Sequence, residues 1–282
     1  MASKQSIRLG TVPETLLVPL YARAVESRRK HPILEDSRAL GMVESIDWDF
    51  RRFNQRLRVI GCTLRSAMFD EWVKRFLGSH PEGTVVEIGC GLNTRFERLD
   101  RFDLDLPEVV ELRRKFFTDT GRRTTLAASV LDTDWMATVL QSPGPYFLVA
   151  ETVLVYLQEL EVKTALAQIA ERFPCANIAF DTISGRAVKG GNRDHARRHL
   201  DARFAWACAD PKEIEGWNIG LRLVESRTLA NVPEPLNSRL SFPVRTTFDV
   251  VGKLFPELMK VYQLNLFAGQ SACFSAPGQE GA

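Results

Sequence analysis

The stretch Thr84-Val-Val-Glu-Ile-Gly-Cys-Gly-Leu-Asn-Thr-Arg95 decides how the rest of the chain is read. Its first five residues, Thr84 to Ile88, read as a short buried strand of a parallel sheet. Gly89-Cys-Gly91 then turns the backbone sharply. Glycines at such a place let main chain approach a ligand closely, at the carboxyl end of a strand where open α/β sheets bind nucleotides. A tight turn without a ligand is the other reading of a Gly-x-Gly pair.

A dinucleotide fingerprint has a third glycine where this chain has Thr94,. Glu87, just before the glycines, and the acidic Asp103-Leu-Asp105 further on suit an S-adenosylmethionine (AdoMet) site better than a NAD site.

The segments Val85-Val-Glu-Ile-Gly-Cys-Gly-Leu-Asn-Thr-Arg-Phe-Glu-Arg-Leu99, Phe102-Asp-Leu-Asp-Leu-Pro-Glu-Val-Val110 and Ala150-Glu-Thr-Val-Leu-Val-Tyr-Leu157 resemble three successive motifs of the leucine carboxyl methyltransferase family. Within it the chain is most similar to the bacterial branch that includes the tetracenomycin-type polyketide O-methyltransferases. The likeness runs from about Thr11 to about Thr228. It implies a class I AdoMet-dependent methyltransferase: a doubly wound α/β fold with a seven-stranded, mostly parallel sheet, Rossmann-like, with added amino-terminal helices and a lid insertion before strand six.

The resemblance also implies roles. In the family an arginine at the place of Arg65 holds the AdoMet carboxylate, as a planar guanidinium suits two carboxylate oxygens. The acid before Leu-Pro, here Asp105, takes the ribose hydroxyls. Glu151 lies near the methionine portion, and Thr152 stands where the family often has glycine or cysteine. The acid that contacts adenine in many class I enzymes falls on Val130, with Asp132 two positions later. Ser129, Val130 and Leu131 are therefore expected to line the adenine pocket, and Glu87, Gly89, Cys90 and Gly91 to complete the cofactor site.

Composition narrows the classes. A chain of 282 residues with 45% hydrophobic content suits one large α/β domain: helices over residues 1–80, a core over 81–274 with an insertion at about 185–216, and a disordered tail over 275–282,. With 37 basic against 35 acidic residues the formal charge is only +2, so no global field draws in nucleic acid or an anionic membrane,. Five scattered cysteines suggest free thiols in a reducing compartment and no structural metal site,. Cys90 reads as a nucleophile or as a small residue lining the ligand loop. Pro13 and Glu14 occupy the place of a leader's apolar core, and no run is long enough to span a bilayer, which points to the cytoplasm.

In chain order, Thr11-Val-Pro-Glu14 has the form of a capping box before an amphipathic helix through Leu16, Leu17, Leu20, Ala24 and Val25. That helix reads either as core packing or as a substrate lid. A polar link through His31 and Pro32 leads to a helical region from Asp49 to Leu77, whose stripe is Ile60, Leu64, Ala67, Met68 and Phe76. Phe102 to Leu106 is a second strand with Asp103 facing solvent, and Leu126 to Asp132 a third strand with its exit loop. Tyr146 to Ala150 is an apolar strand that leaves Glu151 in need of a cation, which AdoMet can supply. Gln158 to Phe173 is a helix, Asn177 to Asp181 a fifth strand, Leu221 to Thr228 a sixth, and Tyr262 to Phe267 an antiparallel seventh.

Gly185 to His199, rich in glycine and arginine, reads as a solvated loop or as a cover for the acceptor site. His195, His199 and Tyr156 are the candidate catalytic side chains, though each also has a purely structural reading. A carboxylate acceptor is ionised at neutral pH and needs no base, whereas a phenol benefits from one. No residue stands out as an obligatory base, so methylation of a carboxylate on a small acidic or aromatic intermediate is the leading expectation. Esterification of a protein carboxyl terminus and an inactive AdoMet-binding scaffold are the alternatives, and a NAD-dependent oxidoreductase comes last.

Overall fold

The computed structural model describes residues 14–53, 55–98, 102–197 and 200–270. The expected capping threonine Thr11, His199 and the expected tail lie outside them. Seven strands form one sheet: β1 (Thr84–Ile88), β2 (Phe102–Asp105), β3 (Thr125–Ala127), β4 (Tyr146–Ala150), β5 (Asn177–Ile183), β6 (Leu221–Arg227) and β7 (Tyr262–Gly269). Their order is β3-β2-β1-β4-β5-β7-β6, and β7 runs antiparallel to both its neighbours. The other pairings are parallel, as expected from the alternation of strands and helices,.

Strand alternation sends side chains to two packed faces. Val86, Ile88, Leu148 and Phe180 meet Trp135 and Val139 of α6 (Asp134–Val139) and Val162, Leu166 and Ile169 of α7 (Glu159–Arg172). On the other face Val85, Phe147 and Val149 pack against Leu64, Met68 and Trp72 of α3 (Arg56–Ser79). A third apolar cluster joins α1 (Leu17–Ser27) and α2 (Ser37–Ser45) to Leu92, to Phe96 of the short turn α4 (Arg95–Arg98), and to α5 (Pro107–Arg113). The amino-terminal helices thus divide between two jobs. Helix α3 belongs to the sheet's own core, while α1 and α2 sit over the carboxyl end of β1 and β2.

Several elements depart from the sequence reading. The region from Asp49 to Leu77 is broken: a 3-10 turn covers Phe50–Phe53, and α3 starts only at Arg56. The polar link holds a helix, α2, because the Asp36 carboxylate accepts from Ala39 N at 2.8 Å and caps it,. Strand β3 stops at Ala127, and the Asp132 carboxylate closes the following turn by accepting from Ser129 N at 2.7 Å. Asp103 is buried, not solvent-facing, because Arg113 reaches it at 2.7 Å.

The glycine-rich insertion is a helix, α8 (Gly185–Arg197), in place of a loop. Gly191 earns its place by contact, since a Cβ there would lie 2.4 Å from the Phe204 ring. Beyond β6 the chain makes α9 (Leu236–Arg239), α10 (Phe242–Leu254) and α11 (Pro256–Met259) before returning as β7. Cys62, Cys90 and Cys208 are free thiols, but Cys175 is disulfide-bonded, which corrects the reading of every cysteine as free. Scattered spacing in sequence carries no information on which residues meet in space. Among the described residues no helix is long and apolar enough to cross a membrane.

Gly89 has φ +65°, and a Cβ built on it would lie 2.3 Å from Val153 Cγ2. The first glycine therefore serves the approach of the loop after β4 as well as the turn. Gly89→Ala is expected to destabilise by about 1–3 kcal/mol through overpacking and left-handed strain, measured as a lowered midpoint in urea.

Candidate active site

The sheet's carboxyl edge opens into a cavity of about 420 Å³ bounded by the loops after β1, β2, β3 and β4, with α1 and α8 over it. Its floor is the glycine turn. Gly91 has φ +48°, and its amide donates to Asp105 Oδ2 at 2.6 Å, while Leu106 N donates to Oδ1 at 2.8 Å. Burial pushes the Asp105 carboxyl up, and these two amides act in the opposite sense,. Each oxygen keeps acceptor capacity towards the cavity, which Asp105 lines,. From behind, Arg113 ties the turn to β2, donating to the Gly91 and Asn93 carbonyls at 2.8 Å each and to Asp103 at 2.7 Å.

Glu151, at the end of β4, does not wait for a ligand's cation. Arg65 Nε meets Oε1 at 2.7 Å, Ser66 Oγ donates to the same oxygen at 2.7 Å, and an Arg95 terminal nitrogen meets Oε2 at 2.7 Å. The expectation that AdoMet supplies this charge is thereby corrected. The counterions come from distant parts of the chain, a pairing that local pattern does not reveal. Burial alone would raise the Glu151 carboxyl, but Arg65 and Arg95 outweigh it and hold it at about 2,.

Because that folded value lies below the unfolded one, the stabilisation is present above the ordinary carboxylate range. It is lost as pH falls from about 4.5 towards 2,. Over that window Glu151 is expected to account for about 2–3 kcal/mol of lost stability. Urea titrations at stepped pH should show a shallower acid limb in Glu151→Gln.

Arg95 is the hub beneath the cavity. Besides Glu151 it meets Asp70 at 2.6 Å through Nε and Glu87 Oε1 at 2.6 Å. Asn93 also donates to Glu87 Oε1, at 2.5 Å, so both bonds fall on one oxygen. Burial pushes Glu87 up to about 7 even with Arg95 beside it,.

Of the residues expected from sequence, Arg65, Glu87, Gly89, Cys90, Gly91, Asp105, Ser129, Val130 and Glu151 all line this one cavity. Leu131 does not; it packs against the core below, because the chain after β3 turns inward at Val130. Asp132 is engaged by Ser129 N and is not in the lining. Burial raises the Cys90 thiol well above its ordinary range, so it lines the loop as a neutral group unsuited to nucleophilic attack,. Arg65 also donates to the Tyr262 hydroxyl at 3.3 Å, and its remaining terminal nitrogen has no partner among the described residues.

The acceptor end carries Thr15, Pro19, Arg58, Tyr156, His195 and Phe204. Burial pushes the Tyr156 hydroxyl up to about 12, so it stays protonated at neutral pH and makes a donor, not a base. Thr152 has φ +56°, a left-handed conformation that a β-branched residue rarely adopts,. Its amide and hydroxyl hold the buried Asp181 carboxylate at 2.7 and 3.0 Å. Sequence reasoning passed over Arg95, Asp181 and Tyr262. Arg95 lay inside the quoted stretch, and Asp181, a carboxylate in a largely apolar strand, was a signal of the same type as Glu151.

Residues 17–170 match the leucine carboxyl methyltransferase family. The chain is 30% identical over 269 residues to the tetracenomycin polyketide synthesis O-methyltransferase TcmP of Streptomyces glaucescens, covering 92% of this chain and 97% of that one. It is 24% identical over 249 residues to the S-adenosyl-L-methionine-dependent methyltransferase dpfgK of Gibberella zeae, covering 79% and 84%. Among solved structures, a DUF574 family protein from Streptomyces avermitilis superposes with a TM-score of 0.55 at 14% identity, over 93% of this chain and 100% of that one, a likeness of fold.

Proposed function

Because the chain belongs to the leucine carboxyl methyltransferase family and is an AdoMet-dependent methyltransferase, we propose that it methylates an oxygen of a small biosynthetic acceptor, a carboxylate in preference to a hydroxyl. The observation that carries the reading is the convergence of Asp105, Arg65 and the Gly89–Gly91 turn on one cavity whose other end is walled by aromatic side chains. In this reading Asp105 receives the ribose hydroxyls on its free lone pairs. Ser129 and Val130 lie along the adenine, and the unengaged nitrogen of Arg65 meets the amino-acid carboxylate. Glu151 acts by holding Arg65 in place. When bound, AdoMet supplies a methyl group on a sulfonium, already an activated electrophile.

The protein's own work is then positioning and exclusion of water. The roof supplied by α1 and α8 shields the reacting end, and the aromatic wall favours a flat acceptor. Arg58, at 2.7 Å from Asp194, places a cation at the same end, where an acidic acceptor would meet it. Likeness to TcmP, an enzyme of polyketide synthesis, supports an aromatic polyketide-like acid as acceptor. A carboxylate is ionised at neutral pH and attacks without a base.

The test is formation of S-adenosylhomocysteine from AdoMet with a panel of aromatic carboxylic acids, with products identified by mass. Methyl esters support the reading. Turnover confined to a peptide with a free carboxyl terminus, or none with any acceptor despite tight AdoMet binding, contradicts it.

A further inference from the structure

His195 is the only histidine among the described residues that lines the cavity. It sits on α8, and its Nδ1 lies 2.9 Å from the Ala202 carbonyl oxygen. A carbonyl has no proton to give, so Nδ1 carries the hydrogen in that contact. In the neutral ring this leaves Nε2 with a bare lone pair. No group among the described residues bonds Nε2.

The ring's orientation is fixed by more than this bond. Its centroid lies 4.8 Å from that of Phe204, whose main chain is clamped to Asn192 of the same helix. Asn192 Nδ2 donates to Phe204 O at 2.9 Å, and Phe204 N donates to Asn192 Oδ1 at 2.8 Å. The Tyr156 ring centroid lies 5.0 Å from that of Phe204. The acceptor end therefore presents an aromatic wall with an oriented, unsatisfied proton acceptor at its edge. A structural histidine buried in a core would have both nitrogens engaged or enclosed.

We propose that the same site has a second, base-assisted activity: methylation of a ring hydroxyl on a planar aromatic acceptor, with His195 Nε2 taking the hydroxyl proton. This rests on the methyl-transfer reading above and extends its acceptor class. The hydroxyl proton passes to Nε2 as the acceptor oxygen forms its bond to the methyl carbon. The carbon–sulfur bond breaks with its electron pair going to sulfur, which neutralises the sulfonium. The imidazolium then returns its proton to solvent once the ether has left.

The charged and titratable groups around His195 are few. On its own helix Asp194 is paired with Arg58 of α3, and Arg193 is exposed. From the segment after α8, Arg203 donates to the Leu200 and Ala202 carbonyls. Across the cavity stand Tyr156, Cys62 and Arg65, the last engaged by Glu151. Asp201, beside Ala202, is exposed, and among the described residues the carboxylates that line the cavity are Glu87, Asp105 and Glu151, at its cofactor end.

The test pairs two probes of one shape, 2-naphthol and 2-naphthoic acid, and reads ether against ester by chromatography. In the wild type both products are expected. In His195→Gln the ether-to-ester ratio at neutral pH is expected to fall about 100-fold, the lower range of a general base's contribution. Thermal melting shows whether the variant is folded.

A second measurement needs no turnover. Nitrogen NMR of the imidazoles in the unliganded protein is expected to show His195 protonated on Nδ1 and bare on Nε2. Ester without ether, an unchanged ratio in a folded His195→Gln, or a proton on Nε2 of the neutral ring each overturns the inference and leaves the parent reading standing. Neither product from the wild type counts against the parent reading, and against the inference with it.

Discussion

Arg95→Met is expected to lower the unfolding free energy by about 3–5 kcal/mol, the usual cost of removing one partner from a buried ionic cluster. Arg95 is 2% exposed and is the common partner of Asp70, Glu87 and Glu151, which are themselves buried or nearly so. Removing it leaves carboxylates at close quarters with too few donors. Glu151 retains Arg65 and Ser66, whereas among the described residues Glu87 retains one hydrogen-bond donor, Asn93. Methionine fills much of the volume, so a loss of this size reports charge and not a cavity. The measurement is urea denaturation at pH 7. With about 2–4 °C per kcal/mol for a chain of this size, the melting midpoint should fall by roughly 6–20 °C. A loss under about 1 kcal/mol would show that the cluster is not the support of the cavity floor.

Asp105→Ala is expected to weaken S-adenosylhomocysteine binding by about 3–4 kcal/mol, roughly 100- to 1000-fold, since two hydrogen bonds to a charged acceptor are lost. The carboxylate also braces Gly91 N at 2.6 Å, so part of the loss comes from a looser turn. Asp105→Asn separates the two effects. An amide oxygen still accepts from one amide, and binding should recover in part. Equal affinity in the wild type and Asp105→Ala would place the nucleoside elsewhere.

The sequence already exposed the sheet and the cavity floor, because both are written in local pattern. Phe147–Ala150 is apolar throughout, and Val85–Ile88 is apolar but for Glu87, as suits strands covered on both faces,. The two glycines announced the turn, and both have positive φ. What escaped was whatever depends on contact between distant residues. Glu151 looked like a charge awaiting a ligand until Arg65 and Arg95 were found on it.

Helix α8 was misread because glycine pairs are poor helix formers in isolation. Here Phe204 packs into the space that Gly191 leaves, and Asn192 binds its main chain. His195 was visible as a residue type and no further, since the chemistry turns on which nitrogen faces Ala202. Leu131 shows the converse limit. Its neighbour Val130 lines the cavity, but one residue further the chain has already turned into the core.

Calorimetric titration of the wild-type protein with S-adenosylhomocysteine, run beside NADH, tests the central claim most directly. The account predicts one site of micromolar affinity for S-adenosylhomocysteine, about −8 kcal/mol, and no heat with NADH. No binding of the nucleoside at millimolar concentration, or a preference for NADH, would contradict it.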